Sequence, residues 1–468
     1  MFQHNHESPA LTQKVPSSPS SPFGSGDLGT AITAGVLGFF RLIFMTDVAG
    51  LNPALAGAVL LIGRVWDAVN DPIIGTISDR LKTRWGRRRP MFLFGALPFA
   101  LTFILVFYAP PFDQTGKFIY YIVAGLLFDT FYTIVNVPYT ALTAEMTSDY
   151  DERTSMNSFR FGFSIIGSLL AVIGYTAISG ALRDSLGQAG AILVAVSVLA
   201  AVSGVPYILA FLGTYERPEV AAAYQAEPPM SVLEGIKTTF ASIPFRYVAG
   251  IYLASWLSLM TVQTVLVYFL NYWLRRPDLQ LPVVLGVQVT ALLFVFIWSK
   301  VSQKIGKQRV YVIGMGFWIV ISFALFAVPA NAADIVPMLL GALAGVGVAV
   351  AYLIPWSMLP DVIEEDELKT GRRREGAFYG YFALLQKFGA AVGSGLIGLA
   401  LAATGYITPP ENITTPIAQP ESALLAIRLM IGPIPAFLLV IGIVLALRFP
   451  ITKAHHEQTL AALAKRKA

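Results

Sequence analysis

Residues 63–72 read GRVWDAVNDP, and residues 78–89 read SDRLKTRWGRRR. The first stretch places Asp67 and Asp71 four residues apart, with Arg64 three residues before Asp67. On a helix these three side chains share one face. Inside a bilayer each of these charges is costly unless it faces protein, water or an ion. The meaning of the stretch therefore depends on whether the chain around it spans a membrane.

The composition favours a membrane protein. Of the 468 residues, 55% are hydrophobic and only 13% are charged, about half of the charge that average soluble domains carry. The apolar residues form long runs, which predict an all-α membrane protein with twelve transmembrane helices. The approximate limits of these segments are 28–46, 54–78, 90–109, 117–143, 156–180, 189–212, 244–270, 281–300, 309–328, 334–358, 376–404 and 422–448.

The lack of cysteine, and of histidine in the predicted spans, limits which side chains can bind ions or relay protons inside the membrane. The chain has no cysteine, which excludes disulfides, thiolate metal sites and cysteine nucleophiles. The four histidines lie in the tails, so no histidine inside the membrane can relay protons or bind a metal; they are His4, His6, His455 and His456. Ion chemistry inside the membrane must then depend on carboxylates. No cofactor is expected, no metal beyond a transported Na⁺, and no enzymatic activity.

Lysine and arginine cluster in alternate connections between the segments. They follow segments 2, 8 and 10, as Arg80, Lys82, Arg84, Arg87, Arg88, Arg89, then Lys300, Lys304, Lys307, Arg309, then Lys369, Arg372, Arg373 and Arg374. The intervening connections are nearly free of them, apart from Arg275 and Arg276. The positive-inside rule therefore predicts that both termini are cytoplasmic, in a multi-pass protein of the inner or plasma membrane.

Two halves of the chain resemble each other weakly. Basic connections follow segments 2 and 8, and the prolines Pro138 and Pro355 lie near the ends of segments 4 and 10. Two six-helix halves with a solute site between them are the anatomy of a major facilitator transporter. The predicted parts are a disordered cytoplasmic tail, an N-terminal half, a cytoplasmic linker, a C-terminal half and a cytoplasmic tail, at 1–26, 27–213, 214–242, 243–449 and 450–468.

Three blocks of sequence, at 63–90, 132–160 and 355–389, resemble the glycoside–pentoside–hexuronide:cation symporters, the melibiose-permease-like branch of the major facilitator superfamily. The resemblance implies uptake of a sugar-like solute by alternating access, driven by Na⁺, Li⁺ or H⁺. Matching positions imply a cation site and, on helices V and XI, two cationic residues of the solute site. The cation-site residues are Asp67, Asp71, Asn70 and Thr133. The two basic residues of the solute site are Arg160 and Lys387.

The chain departs from the family pattern at the sugar-contacting positions. The helix IV carboxylate of melibiose permease falls at Asn136, and the tryptophan that stacks on the sugar falls at Thr140. The helix I aspartate falls at Ala31, although Asp27 lies four residues earlier in a Gly-Asp-Leu-Gly pattern of other branches. A galactoside is therefore not expected.

The residues also support a cation site on their own chemistry. Two carboxylates on one helical face suit a monovalent cation or a shared proton. The alternative is an Arg64–Asp67 pair that only fixes packing. Since one arginine cannot neutralise both carboxylates, Asp71 is the favoured cation-binding residue. On segment 4, Thr133 and Asn136 either complete a Na⁺ shell or make interhelical hydrogen bonds.

For each further solute-binding candidate, the sequence also allows a structural role or another location. Asp129 either replaces the missing carboxylate or lies near the outer mouth, and Tyr132 follows on the same segment. Lys387 needs a partner, either a carboxylate of helix II or IV or, by snorkelling, the cytoplasmic surface. Aromatic and polar side chains of the second half either stack on a sugar or pack; they are Tyr252, Trp256, Gln263, Tyr268, Tyr352, Trp356 and Tyr379. Trp356 is taken as a solute-binding candidate.

The connection after segment 2 supplies candidate gating residues. Asp79, Arg80, Arg87 and Arg88 resemble a loop motif of the superfamily and predict a charged latch between helix ends. The same charges also serve as a plain topology signal, and both roles are compatible.

The sequence predicts a cation-coupled symporter for a small polar solute, most simply a sugar or glycoside. It is expected to act as a monomer in the lipid bilayer without nucleic acid. One alternative is uptake of an amphiphile such as a lysolipid, for which Lys387 would bind a phosphate. Another is a receptor or scaffold on the same fold, which would not need Asp67, Asp71 and Lys387 inside the bundle.

Overall fold

The computed structural model describes residues 25–81, 83–146, 150–214, 232–371, 374–409 and 417–467. Residues 1–24 of the predicted N-terminal tail and residues 215–231 of the predicted linker lie outside this description. Within the described ranges the chain is helical, apart from short connections.

The first half contains six helices. They are α1 Gly26–Ile43, continued by a π-helical turn Phe44–Val48, then α2 Pro53–Arg80, α3 Arg89–Val106, α4 Gln114–Met146, and a run Tyr150–Gly213. Gly187 breaks that run with a left-handed φ of 70°, a conformation that glycine adopts without steric cost. The run therefore forms two helices, α5 at 150–186 and α6 at 188–213.

The second half repeats this plan. Its helices are α7 Ile243–Tyr268, continued by a π-helical turn Phe269–Trp273, then α8 Gln280–Ile305, α9 Lys307–Ala327, α10 Ile335–Thr370, α11 Glu375–Ala403, and α12, which is kinked at Gly432 into Glu421–Ile431 and Pro433–Leu447. A short helix Val232–Ala241 lies within the predicted linker, and α13 Lys453–Lys467 follows the last span.

The twelve predicted spans are present. Ten described stretches are long and apolar enough to cross a membrane. One of them, Ile166–Gly213, contains parts of both α5 and α6. The remaining span is α2, whose polar and charged residues lower its hydropathy. The all-α major facilitator architecture expected from the sequence is therefore confirmed.

The predicted C-terminal tail is a docked helix rather than a loose segment. His455 Nε2 of α13 lies 3.0 Å from Glu365 Oε2 of α10, and Thr459 donates a hydrogen bond of 2.9 Å to the same oxygen. Thr459 is 3% exposed. Helix α13 therefore packs against the C-terminal part of α10.

The basic connections lie at one end of the bundle, which we call the basic face; the other end is the opposite face. Arg276 lies at the opposite face and donates hydrogen bonds to Asp278 and Asp334. These bonds raise the pKa of Arg276. The charge of Arg276 is thus balanced locally by two carboxylates.

The two halves meet closely toward the opposite face. A Cβ atom on Gly398 of α11 would lie 2.5 Å from the carbonyl oxygen of Pro53 and 2.7 Å from Gly57 Cα, both on α2. Only glycine permits this approach of two backbones. On α7, Thr264 donates a hydrogen bond of 3.4 Å to the Gly38 carbonyl of α1. The bundle is thus closed at this end, and the candidate site lies below the closure.

Candidate functional site

Helix α2 carries the charged face that the sequence predicts. Pro53 starts the helix, and the Asn52 side chain caps it by accepting a hydrogen bond from the Ala54 N–H. Asp67 is 3% exposed, and Arg64 Nη1 lies 3.4 Å from its Oδ2 atom. The other oxygen, Oδ1, is buried without a hydrogen-bond donor among the described residues. A buried carboxylate oxygen of this kind is a strong acceptor for a cation or a proton.

Lys387 of α11 reaches across the interface between the halves to this face. Its ammonium contacts Asp71 Oδ2 directly and lies 3.3 Å from Asp67 Oδ2. The side chains of Lys387 and Asp71 are 27% and 30% exposed, so water reaches this pair. The partner of Lys387 is therefore on helix II, and the predicted alternative of snorkelling to the surface is wrong.

Neutral polar side chains of α2 and α4 lie beside this pair. Thr133 is 1% exposed and donates a hydrogen bond of 3.0 Å to Asp71 Oδ1. Asn70, 3% exposed, donates a bond of 3.4 Å to the carbonyl oxygen of Asp129. Asn136 lies one turn beyond Thr133, and among the described residues its side chain has no hydrogen-bond partner. Of the predicted cation-site residues, Asp67, Asp71 and Thr133 thus form one connected cluster.

Asp129 is buried in the bundle instead of lying at an open mouth. It is 6% exposed, and its Oδ2 atom would be 2.9 Å from a Cβ on Gly63. Arg41 of α1, also 6% exposed, extends to Gly125, one turn away from Asp129. Sequence reasoning missed Arg41, although an arginine inside segment 1 is a signal of the same kind as Lys387.

Asp27 and Arg160, both predicted to bind solute, form an ion pair with each other in this structure. Arg160 donates hydrogen bonds of 2.5 Å and 3.3 Å to the two carboxylate oxygens of Asp27. The hydroxyl of Tyr139 lies 3.4 Å from Asp27 Oδ2, and its ring lies under the guanidinium. This fork joins α1, α4 and α5 near the basic face.

The aromatic candidates divide between packing and exposure. The ring of Tyr132 packs on Phe99 and Phe128 inside the first half, which favours a packing role. Trp356 of α10 is partly exposed and stacks on Tyr379, with ring centroids 6.3 Å apart. Thr140 is exposed, and its hydroxyl bonds back to carbonyls of its own helix. Trp356 and Tyr379 therefore form a partly exposed aromatic pair on which a ring could stack.

The candidate gating residues lie around the α2–α3 connection. Thr83 and Gly86 form a tight turn, and Arg89 donates a hydrogen bond of 2.6 Å to the Phe211 carbonyl at the end of α6. Arg80 is exposed, Arg87 is partly exposed, and Arg88 is 9% exposed. The side chain of Asp79 lies outside the described residues. The turn is thus tied to the first half, whichever role its charges have.

Comparison with known proteins agrees with this arrangement. A profile of the family described as MFS/sugar transport protein matches residues 22–453. A symporter of Synechocystis sp., named as uncharacterized, is 39% identical, with 93% of this chain and 94% of that protein covered. The sodium-dependent lysophosphatidylcholine symporter 1-A of Danio rerio is 30% identical, with 93% and 86% covered.

A solved structure shows the same fold at low sequence identity. The xylose transporter XylE of E. coli, in an inward-open conformation, superposes with a TM-score of 0.62, at 14% identity, with 95% of this chain and 98% of that chain covered. The resemblance inferred from the three sequence blocks is confirmed by the family match. The chain belongs to the MFS/sugar transport family, and is a multi-pass, cation-coupled symporter of the major facilitator superfamily.

Proposed function

We propose that this symporter imports a small polar solute, a sugar or glycoside, together with Na⁺ or H⁺ by alternating access. One observation carries the proposal: Lys387, on the second half, contacts both Asp67 and Asp71 on the first half. A contact between ion-binding carboxylates and the opposite half is what coupling requires, because a ligand there changes how the halves associate.

In the empty carrier Lys387 acts as a tethered substitute for the transported cation. The ammonium lies between the two carboxylates, where Na⁺ would find Asp67 Oδ1, Asp71 and the Thr133 hydroxyl as oxygen ligands. Two like charges on one helical face are costly without such a cation. An entering cation displaces Lys387, and the freed ammonium turns toward the solute. The cation and the solute thus act on the same interface.

The orientation follows from the charge pattern. With the basic face in the cytoplasm, the described contacts between the halves lie on the extracellular side of the Lys387 pair. This arrangement corresponds to the inward-facing state of the cycle. The partial exposure of Lys387 and Asp71 supports it, because an ion site open to the cytoplasm remains hydrated.

The solute class rests on an aromatic pair of the second half and on polar side chains of both halves. The stacked pair of Trp356 and Tyr379 offers an aromatic face suited to the apolar side of a sugar ring, and Lys387 and Thr140 offer polar contacts. A second candidate is a zwitterionic amphiphile such as a lysophospholipid. The relative that transports lysophosphatidylcholine favours it, as does the cationic Lys387, which suits a phosphate.

Uptake by the purified protein in proteoliposomes tests the function. Radiolabelled sugars, glycosides and lysophosphatidylcholine are supplied in turn, with an inward Na⁺ gradient, an inward proton gradient or neither. We expect one solute class to accumulate only with a gradient, and Asp71→Asn to abolish accumulation while the protein still folds, because Lys387 remains 3.3 Å from Asp67. The matched control is Asp113→Asn, a carboxylate that caps Gly116 at the start of α4. Normal accumulation by Asp71→Asn would remove Asp71 from the coupling site.

A further inference from the structure

A second carboxylate joins the two halves, at the opposite face. Asp47 lies in the π-helical turn Phe44–Val48 that follows α1. Tyr272, in the π-helical turn after α7, donates a hydrogen bond to Asp47 Oδ2, and Tyr406, beyond the end of α11, donates one of 2.7 Å to Oδ1. Both hydroxyls belong to the second half. The first half adds one donor of its own, Thr46, at 2.7 Å from Oδ1.

The three tyrosines around this carboxylate form one packed group. Thr46 Oγ1 and Tyr268 OH lie 2.8 Å apart, and both residues are fully buried. The rings of Tyr272 and Tyr406 meet edge-on at 5.4 Å, and those of Tyr268 and Tyr406 at 5.7 Å. We call Asp47, Tyr268, Tyr272 and Tyr406 the tyrosine latch.

The backbone is shaped to present these groups. Both sides of the latch are built on π-helical turns, Phe44–Val48 and Phe269–Trp273. Single π-helical turns are rare and are frequently found at functional sites. Here one such turn points Asp47 toward the second half and the other points Tyr272 toward the first.

The chemistry of the contact differs from that of the ion site. Within the described part of the chain no lysine or arginine forms an ion pair with Asp47, and its hydrogen-bond donors there are neutral hydroxyls. A cavity of about 480 Å³ lies beside the carboxylate and is lined by Asp47 and Tyr272. When the halves separate at this face, the donors from the second half are lost together and water replaces them. The contact is therefore reversible, whereas a buried ion pair would be harder to open.

We propose that the tyrosine latch is the outer gate of this transporter, with Asp47 as the gating carboxylate that Tyr272 and Tyr406 hold in the closed state. The inference rests on the alternating-access cycle proposed above. The hydrogen bonds are made between the halves only while the opposite face is closed. Their strength therefore enters the equilibrium between inward-facing and outward-facing states directly. Hydrogen bonds to a charged acceptor are the strong ones, so each lost donor moves this equilibrium about tenfold.

The chain has no native cysteine, so a single introduced cysteine reports the opening. Thr264 is 5% exposed at the closed interface, and Thr264→Cys reacts with a water-soluble maleimide only when the opposite face opens. The full-length protein is labelled in lipid nanodiscs, without solute or ion gradient. We expect Tyr406→Phe and Tyr272→Phe each to raise the labelling rate about tenfold, and Asp47→Asn to raise it as well.

Two controls make the result decisive. Tyr120→Phe removes a tyrosine hydroxyl that bonds to the Leu105 carbonyl within the first half, and should leave the rate unchanged. General loosening is measured with Ser203→Cys, a fully buried position inside the first half, and rates are taken relative to it. The quantity compared is the labelling rate at Thr264→Cys divided by that at Ser203→Cys. If this ratio is no higher in Tyr272→Phe, Tyr406→Phe and Asp47→Asn than in the unchanged latch, or if it rises equally in Tyr120→Phe, the proposal is overturned. Because the assay uses no transport, failure of the uptake experiment leaves this result interpretable.

Discussion

Replacing Lys387 with methionine tests whether this lysine competes with the transported cation. The change keeps most of the side-chain volume and removes the charge between the two carboxylates. At 3.3 Å from Asp67 Oδ2, the attraction at an effective dielectric constant of about 20 is ~5 kcal/mol. Desolvation and the partial exposure of Lys387 and Asp71 oppose this attraction. We expect about 1.5–3 kcal/mol of it to appear as tighter cation binding, roughly 10- to 100-fold.

The binding of Na⁺ to the purified protein measures this effect. Calorimetric titration gives the affinity, and the rise of the melting temperature with Na⁺ concentration gives an independent value, since a ligand of the folded state stabilises it by mass action. Lys387→Met should bind Na⁺ more tightly than the unchanged protein but lose gradient-driven accumulation, because the link between the halves is gone.

A matched lysine provides the control. Lys307 lies 2.7 Å from both oxygens of Asp361 at the basic face, so Lys307→Met breaks a Lys–Asp pair outside the site and should leave Na⁺ affinity unchanged. Unchanged or weaker Na⁺ binding by Lys387→Met would refute the competition between the lysine and the cation.

Three other variants test separate contacts. Thr133→Val removes the hydroxyl that bonds to Asp71 and should lower cation affinity about tenfold, whereas Thr133→Ser should retain it in the same titration. Gly398→Ala places a methyl group 2.5 Å from a backbone carbonyl of α2, so it should slow uptake, while Gly316→Ala, with no heavy atom within 4 Å, should not; equal uptake rates would argue against tight closure there. Asp27→Asn leaves its arginine partner without a counter-charge and should cost about 3 kcal/mol of stability, seen as a lower melting temperature with normal Na⁺ affinity.

The sequence predicts the features that depend on local pattern. The length of the apolar runs predicts the spans, because a helix must cross the bilayer with its backbone bonded internally. The spacing of Asp67 and Asp71 predicts a shared face, because helical geometry determines which positions face the same way. The need of Lys387 for a partner follows from the cost of an unpaired charge in the membrane.

Contacts between distant segments are not contained in such patterns. Asp27 and Arg160 are separated by 133 positions, and the local sequence around either residue does not identify the other as its partner. Asp47 is at the very end of an apolar run, where a carboxylate is ordinarily expected to be hydrated at the membrane surface. The docking of α13 depends on acidic groups of α10 that lie about 90 positions earlier. In each case the three-dimensional neighbour decides the role, and one sequence without its fold does not identify that neighbour.

The pairing of Lys387 has a consequence for the energetics of transport. Arg64 and Lys387 contribute two positive charges to the ion site, and Asp67 and Asp71 contribute two negative charges, so the empty site is neutral when all four are ionised. A monovalent cation carried with a neutral solute gives the loaded protein one net charge. Moving that charge through 100 mV is worth about 2.3 kcal/mol. Membrane voltage would therefore drive the loaded step, while the return of the empty carrier is insensitive to voltage.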